Sequence, residues 1–191
     1  MKLISEYVNS PLEVIIEKNN GKKNLHIEGV FMQAEKKNRN GRIYEKKILE
    51  SAVNKYVKEQ VSQGRAVGEL NHPDGPTVNL DKVSHKITNL EFQGNNVIGK
   101  ASILKTPMGK IVEGLLEGGV KLGVSSRGMG TLENRRDGMY VKSDFMLASV
   151  DIVQDPSAPS AFVNGIMEGV DWIWDNGILK AREIESIETE I

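Results

Sequence analysis

The sequence contains no cysteine, and this absence excludes several kinds of chemistry at once. A disulfide framework, a thiolate metal site and a cysteine nucleophile are all ruled out. The absence also fits a reducing compartment, where disulfides are rare. Aromatic residues are few, at 5% of 191 residues, but 39% apolar and 27% charged residues are typical of a globular protein. A chain of this length can bury a sizeable core in one domain.

Long apolar runs are missing as well. The N-terminal segment MKLISEYVNS is interrupted by Ser5 and Glu6, so it does not resemble a signal peptide, and FMLASVDIV (145–153) is cut by Asp151. We therefore expect no membrane partner. Basic residues are scattered and residues 1–168 carry a net charge of only +3, so we expect no nucleic-acid partner either.

Negative charge is concentrated at the C-terminus. Residues 169–191 carry a net charge of −4, in contrast to the mildly basic part before them. An acidic end on a basic body is typical of a separable tail. The sequence thus predicts a domain at 1–168 and an acidic C-terminal tail at 169–191, with a solvated terminal helix as the alternative for the second part.

Apolar periodicity predicts more strands than helices. Alternation indicates a strand at 25–34, segments 82–92 and 96–104 are the arms of a predicted hairpin, and a second predicted hairpin leads into 139–153. Helical spacing indicates helices at 46–64 and from Thr106–Pro107 to Gly118–Gly119. Turn residues at Gly94–Asn95 and Asp137–Gly138 indicate two hairpins. The mixed order predicts an α+β fold, built on an antiparallel sheet or small barrel with helices outside it.

The stretch GELNHP (68–73) holds a histidine in an unusual way. Pro73 pushes the backbone of His72 into the extended region, which suits a general base that must present one ring nitrogen in a fixed direction. The same proline argues against a helix through Glu69 and His72, and so against a metal pair at that spacing. A histidine in a surface turn is the alternative.

The stretch GVSSRG (123–128) places Ser125 and Ser126 between glycines, with Arg127 beside them. Small residues let a substrate backbone approach a serine closely. Backbone N–H groups or Arg127 are candidates to stabilise an oxyanion, provided that a base lies near the serine in space. A glycine-rich turn that links a helix to a strand is the alternative.

Asp151 lies in the otherwise apolar segment ASVDIV, where a carboxylate is costly unless it is hydrogen-bonded or paired. A histidine N–H is a suitable partner, because the carboxylate then fixes the tautomer of the ring. Asp155 is the fallback on the same nominal face, and an outward-facing strand aspartate is the alternative. His26 and His85 lie within predicted strands and are interpreted as structural.

Four stretches together resemble the prohead core proteases of large contractile-tailed bacteriophages. They are EGVFMQAEKKNRNGRIY (28–44), GELNHP (68–73), GVSSRGMG (123–130) and DIVQDPSAPSAFV (151–163). The resemblance implies a fold similar to herpesvirus assembly proteases, with an antiparallel β-barrel core surrounded by helices. It implies His72 as general base, Ser125 as nucleophile and Asp151 as third member, with Ser126 as the alternative nucleophile and Arg127 as the oxyanion candidate. No metal or organic cofactor is expected.

The resemblance also implies a function. The enzyme would be a serine endopeptidase inside the phage prohead, in the host cytoplasm, that cuts scaffold or core proteins and the major capsid protein during capsid maturation. A homodimer is a plausible active form by analogy with the herpesvirus enzymes. The alternative is a non-catalytic capsid or tail structural protein on the same fold.

Family members cut after glutamate in the pattern Ile or Leu, any residue, Glu. Ile166–Met167–Glu168 precedes the acidic tail, so Glu168 is the candidate for self-cleavage. The pattern is common in this chain, and other copies include those at 4–6, 15–17, 48–50, 111–113 and 115–117.

Overall fold

The structure is a computed structural model that describes residues 1–8, 12–154, 170–175 and 178–183. These residues form two α-helices, α1 (Lys46–Tyr56) and α2 (Pro107–Glu117). They also form thirteen strands: β1 (Lys2–Tyr7), β2 (Glu13–Asn19), β3 (Lys22–Gln33), β4 (Arg42–Ile43), β5 (Val67–Glu69), β6 (Val83–Gln93), β7 (Asn96–Ile103), β8 (Leu122–Gly130), β9 (Leu132–Arg135), β10 (Gly138–Val141), β11 (Met146–Gln154), β12 (Val170–Asp175) and β13 (Ile178–Glu183). The predicted α+β class, rich in strands, is confirmed.

The strands form three sheets. Their orders are β11-β8-β1-β12-β13, β4-β10-β9 and β2-β3-β7-β6-β5. All named pairings are antiparallel except that of β10 with β4. Within the part of the chain that the structure describes, these sheets are open, so the closed barrel that the resemblance implies stays a prediction.

Local sequence features explain the buried face of α1 and the start of α2. In α1 the side chains of Leu49, Val53 and Tyr56 are buried, as the helical spacing predicts. The chain then widens into a short π-helical turn at Val57–Val61. It turns away at Gly64, whose φ of 69° favours glycine. The start of α2 is confirmed: the Thr106 hydroxyl accepts a hydrogen bond from the N–H of Gly109, and Pro107 occupies the first turn.

The hairpin around Gly94 is confirmed, with β6 and β7 paired from Gln93 and Asn96 onward. The second predicted hairpin is confirmed as well, since β9 and β10 pair on either side of the turn at Asp137. The segment 139–153 that follows this turn contains two strands, β10 and β11, separated by a turn in which the Phe145 N–H donates to the carbonyl of Lys142. The segment 122–130 is strand β8, an interior strand of its sheet with β1 on one side and the edge strand β11 on the other.

The described parts of the predicted acidic tail are the strands β12 and β13, which pair with each other. The contact of β12 with the rest of its sheet runs through β1, where Lys2 is paired with Asp171. The division of the chain at residue 168 stays a prediction. Across the described ranges, no helix is long and apolar enough to cross a membrane.

We expect Gly99→Ala to destabilise the fold. Gly99 is buried in β7 opposite Gly29, and an added methyl group would lie 2.2 Å from Cδ2 of the buried Phe31. Overpacking of this kind costs about 1–3 kcal/mol. Urea unfolding of both proteins measures the free energy of unfolding.

Gly114→Ala is the matched control, because Gly114 is exposed in α2 and an added methyl group would meet no atom within 4 Å. It should raise the free energy of unfolding by roughly 0.5–1 kcal/mol, since glycine is unfavourable inside a helix. Equal stability of Gly99→Ala and wild type would contradict the close packing against Phe31.

Candidate active site

Strand β8 presents alternate side chains to one face of its sheet, and Ser125 and Arg127 share that face. In the neighbouring strand β11, Asp151 is paired directly opposite Ser125. Directly paired residues of antiparallel strands lie on the same side of a sheet, so Ser125, Arg127 and Asp151 form one cluster. All three have a relative exposure of 0%.

His72 reaches this cluster from the loop that follows β5. Asn71 adopts a left-handed backbone with φ of 67°, a conformation that asparagine tolerates better than most residues. The Asn71 N–H donates to the carbonyl of Ile152 at 2.7 Å, and Leu70 forms a parallel bridge with the same residue. These contacts fix the loop against β11 beside Asp151.

The structure brings His72, Ser125 and Asp151 into one hydrogen-bonded chain. His72 Nδ1 lies 2.7 Å from Asp151 Oδ2, and His72 Nε2 lies 2.7 Å from Ser125 Oγ. Because the ionised carboxylate can only accept, Nδ1 carries the hydrogen of the neutral ring. Nε2 is then free to accept the hydroxyl hydrogen of Ser125.

Ser126 is placed differently from Ser125. The pleat directs neighbouring residues to opposite faces. The Oγ of Ser126 lies 3.3 Å from the carbonyl oxygen of Glu6. Of the two serines, only Ser125 has the described hydrogen bond to His72.

Asp151 is held ionised by its surroundings. Burial alone would raise the pKa of Asp151, but hydrogen bonds from His72 and Arg127, together with the positive charge of Arg127, lower this pKa from 3.8 to about 2. The N–H of Glu69 also donates to Oδ1 at 3.0 Å. The carboxylate is therefore available to orient His72 throughout the neutral range.

Arg127 uses all of its donors within the protein. Nε donates to Asp151 Oδ2 at 2.8 Å, and Nη2 donates to Asp151 Oδ1 at 3.2 Å and to Glu69 Oε2 at 3.4 Å. Nη1 donates to the carbonyls of Gly75 and Thr77, both at 3.0 Å. A guanidinium has five N–H groups, so none is left to point at an oxyanion. In this arrangement the Arg127 side chain does not serve the predicted oxyanion role, and a role for its backbone N–H stays a prediction.

The other two histidines lie away from this chain of contacts. His85 is buried between the hydroxyl of Ser84 and the carbonyl of Val150, and burial lowers its pKa. His26 contacts Glu17 and the hydroxyl of Ser102. Among the described residues, no three acidic or histidine side chains come together in a way that could hold a metal ion. Asp155 and Glu168 lie outside the described residues.

The N-terminal strand covers Ser125, an arrangement that the sequence did not predict. Strand β1 pairs with β8 so that Glu6 is opposite Ser126 and Tyr7 is opposite Ser125. The carbonyl oxygen of Glu6 lies 2.9 Å from Ser125 Oγ. The single hydroxyl hydrogen of Ser125 can serve this oxygen or His72, but not both at once.

The side chain of Glu6 is buried in a carboxylate pocket. Its oxygens accept hydrogen bonds from Asn38 Nδ2 at 2.6 Å, Asn40 Nδ2 at 2.9 Å and Tyr44 Oη at 3.3 Å, and Arg42 Nε pairs with Oε1. These four residues belong to the segment NRNGRIY (38–44). The signal in the sequence was the Ile4–Ser5–Glu6 pattern, which is indistinguishable from its other copies until the pairing of β1 is known.

Hydrogen bonds within the segment 38–44 also shape this pocket. Asn38 Oδ1 accepts hydrogen bonds from the backbone N–H groups of Asn40 and Arg42, both at 3.0 Å, which curl the segment around the carboxylate. Arg42 Nη2 donates to the carbonyl of Ser5 at 3.0 Å and so also holds the backbone of β1.

Comparison with known proteins places this arrangement in one family. The sequence profile described as prohead core protein serine protease matches residues 8–171. The chain is 39% identical over 177 residues to the prohead core protein protease of Enterobacteria phage T4, covering 85% of this chain and 83% of that protein. The solved structure of the bacteriophage T4 capsid assembly protease superimposes with a TM-score of 0.75 at 37% identity, covering 80% of this chain and 97% of the other. The chain belongs to the prohead core protein serine protease family.

Proposed function

We propose that this protein is the serine endopeptidase of a phage prohead, and that it cuts scaffold or core proteins and the major capsid protein after glutamate in Ile/Leu-x-Glu sequences. The observation that carries the proposal is the chain of contacts from Asp151 through His72 to Ser125 Oγ, with 2.7 Å at each step. The family and the T4 relatives support core and capsid proteins as substrates and a location inside the prohead. The host cytoplasm as the place of the prohead is part of the proposal.

Ser125, His72 and Asp151 can carry out both steps of peptide hydrolysis, the acylation of the serine and the hydrolysis of the acyl-enzyme. Ser125 Oγ attacks the scissile carbonyl while His72 Nε2 takes its proton, and Asp151 stabilises the imidazolium that forms. His72 then returns the proton to the leaving amine, which leaves an acyl-enzyme. Water activated by the same histidine hydrolyses the ester and restores Ser125. In this scheme the backbone N–H of Arg127 is the candidate for oxyanion stabilisation.

The first substrate that we propose is the N-terminus of the chain itself. Ile4–Ser5–Glu6 fits the Ile/Leu-x-Glu pattern, and the Glu6 carbonyl lies against Ser125. Both Ile4 and the Glu6 side chain are buried, at 1% and 7% exposure. We infer that residues 4–6 occupy the subsites that bind external substrates, and that the Glu6–Tyr7 bond is cut in self-processing.

This interpretation gives the pocket of Asn38, Asn40, Arg42 and Tyr44 the role of glutamate recognition. A buried carboxylate needs a cationic partner and further donors, and this pocket supplies both. An uncleaved strand β1 would also exclude other substrates from Ser125. Self-processing would therefore precede cleavage of scaffold and capsid proteins, and dimerisation remains part of the proposal as a trigger.

Ser125→Ala should abolish cleavage. Without Oγ no acyl-enzyme forms, so we expect the rate to fall by roughly 10⁴-fold or more. The measurement is intact mass over time, for the chain itself and for an added peptide that contains Ile-x-Glu. Ser126→Ala is the comparison: it should still cut, because Ser126 lacks the contact with His72. If only Ser126→Ala lost cleavage, the nucleophile would be Ser126 and the assignment of Ser125 would be wrong.

Glu6→Gln should slow the removal of residues 1–6. It keeps the shape of the side chain but removes the charge that pairs with Arg42, and a charged hydrogen bond contributes about 1.5–3 kcal/mol, or roughly tenfold to a hundredfold in rate. Intact mass at timed intervals of cell-free synthesis follows the cut. Glu17→Gln alters another copy of the pattern and should have no effect on this cut, because Glu17 lies in β2, in a different sheet from Ser125. Equal rates for all three chains would contradict the proposed site.

Cleavage after Glu168 is proposed as a further self-processing step that removes the acidic tail. In this case Glu168→Gln should retain residues 169–191 under conditions in which wild type loses them. The same mass spectra report this cut, because the two fragments differ greatly in mass. An intact C-terminus on fully active wild-type enzyme would contradict the step.

A further inference from the structure

Glu69 is a buried carboxylate that the proposed reaction does not use directly. It ends β5, three residues before His72, and its relative exposure is 1%. Its Oε2 accepts from the backbone N–H of Asn79 at 3.1 Å and from Arg127 Nη2 at 3.4 Å, and its Oε1 accepts from Asn79 Nδ2 at 3.2 Å. Burying a charge is costly, so an alternative of similar size without charge would be expected if Glu69 only filled space.

These contacts close the loop that carries His72. The loop leaves β5 at Glu69 and returns to the Glu69 side chain at Asn79, ten residues later. Between these points, Arg127 Nη1 binds the carbonyls of Gly75 and Thr77. Glu69 and Arg127 together therefore hold the part of the loop that follows His72, while the Asn71 N–H bond to Ile152 holds the part before it.

The same contacts determine the charge around His72. Arg127 forms ion pairs with both Asp151 and Glu69, so the three buried groups sum to one negative charge. If Glu69 were absent, the positive charge of Arg127 and the negative charge of Asp151 would sum to zero. An excess negative charge in a buried cluster favours the imidazolium that forms when the histidine takes a proton.

The remaining titratable groups around the cluster add no net buried charge. The buried Glu6 carboxylate, which lies near Ser125, is paired with the buried guanidinium of Arg42. Burial raises the pKa of Tyr56, and burial lowers the pKa of His85, so both are neutral near pH 7. Asp74 and Lys82, which line the shallow pocket that His72 borders, are exposed to solvent.

We propose that Glu69 is a positioning residue for the reaction. It acts through Arg127 and Asn79 to hold the His72 loop, and its charge keeps the cluster negative where the imidazolium forms. The inference rests on the proposed roles of His72, Ser125 and Asp151. It also accounts for a glutamate and a histidine three residues apart in GELNHP without a metal.

The test uses Glu69→Gln in the Ser125→Ala background, followed by NMR titration of the imidazole signals. Removing one negative charge should move the titration of His72 to lower pH, by roughly one unit for a charge at this range. The chain has only three histidines, which makes the signals assignable. This readout does not depend on cleavage, so it separates a failure of the positioning role from a failure of the proposed protease function.

Glu17→Gln is the matched control. It removes the same charge beside another histidine, because Glu17 Oε2 lies 3.2 Å from His26 Nε2. We expect it to move the titration of His26 and leave that of His72 unchanged. The proposal would be overturned if His72 titrated at the same pH with Glu69→Gln as in the Ser125→Ala protein that lacks this change.

Kinetics on an Ile-x-Glu peptide, with Ser125 intact, provide the second readout. Glu69→Gln should lower kcat by roughly tenfold to a hundredfold with little change in KM, and move the acid limb of the pH–rate profile to lower pH. Glu69→Asp keeps the charge but shortens the reach to Asn79, so it should lower kcat while leaving the acid limb in place. If Glu69→Gln does not fold, an unchanged kcat in Glu69→Asp would by itself overturn the positioning role.

Discussion

The forked ion pair between Arg127 and Asp151 is the interaction on which the rest of the site depends. Both side chains are fully buried, and the pair joins strand β8 to its neighbour β11. Replacing a buried pair with apolar groups is often tolerated, but removing one partner alone leaves an uncompensated charge at a cost of about 3–5 kcal/mol. Arg127 also binds the loop after β5, so one guanidinium fixes the carboxylate and the backbone that carries the histidine.

The strand pairing explains how so few contacts define the geometry. Ser125 and Arg127 are two residues apart on one face of β8, and Asp151 is opposite Ser125, so the pleat alone brings three functional groups together. A shift by one residue would turn Ser126 to this face and send Arg127 to the other. The choice between Ser125 and Ser126, which the sequence left open, is therefore a question of register.

Local signals in the sequence predicted local structure well. Thr106 and Pro107 mark the start of α2, and Gly94 marks the β6–β7 hairpin, because capping and turn preferences depend on adjacent residues. The triad candidates were named from their neighbours and from the family resemblance. The partners of Glu69 and the place of β1 were not predictable in this way. Tyr7 is paired with Ser125, and Glu69 binds Arg127, across 118 and 58 residues of chain.

The position of β1 gives the proposed self-processing a physical logic. The strand contributes Leu3 and Ile4 to buried positions and lies between β8 and β12, so it is part of the fold as well as the occupant of the site. While it is covalently attached, its effective concentration at Ser125 is far above that of any separate substrate. Cutting the Glu6–Tyr7 bond would end this advantage without removing a single contact. The released segment that ends at Glu6 would then dissociate, and scaffold or capsid segments of the same pattern would compete for the same pocket without a covalently attached rival.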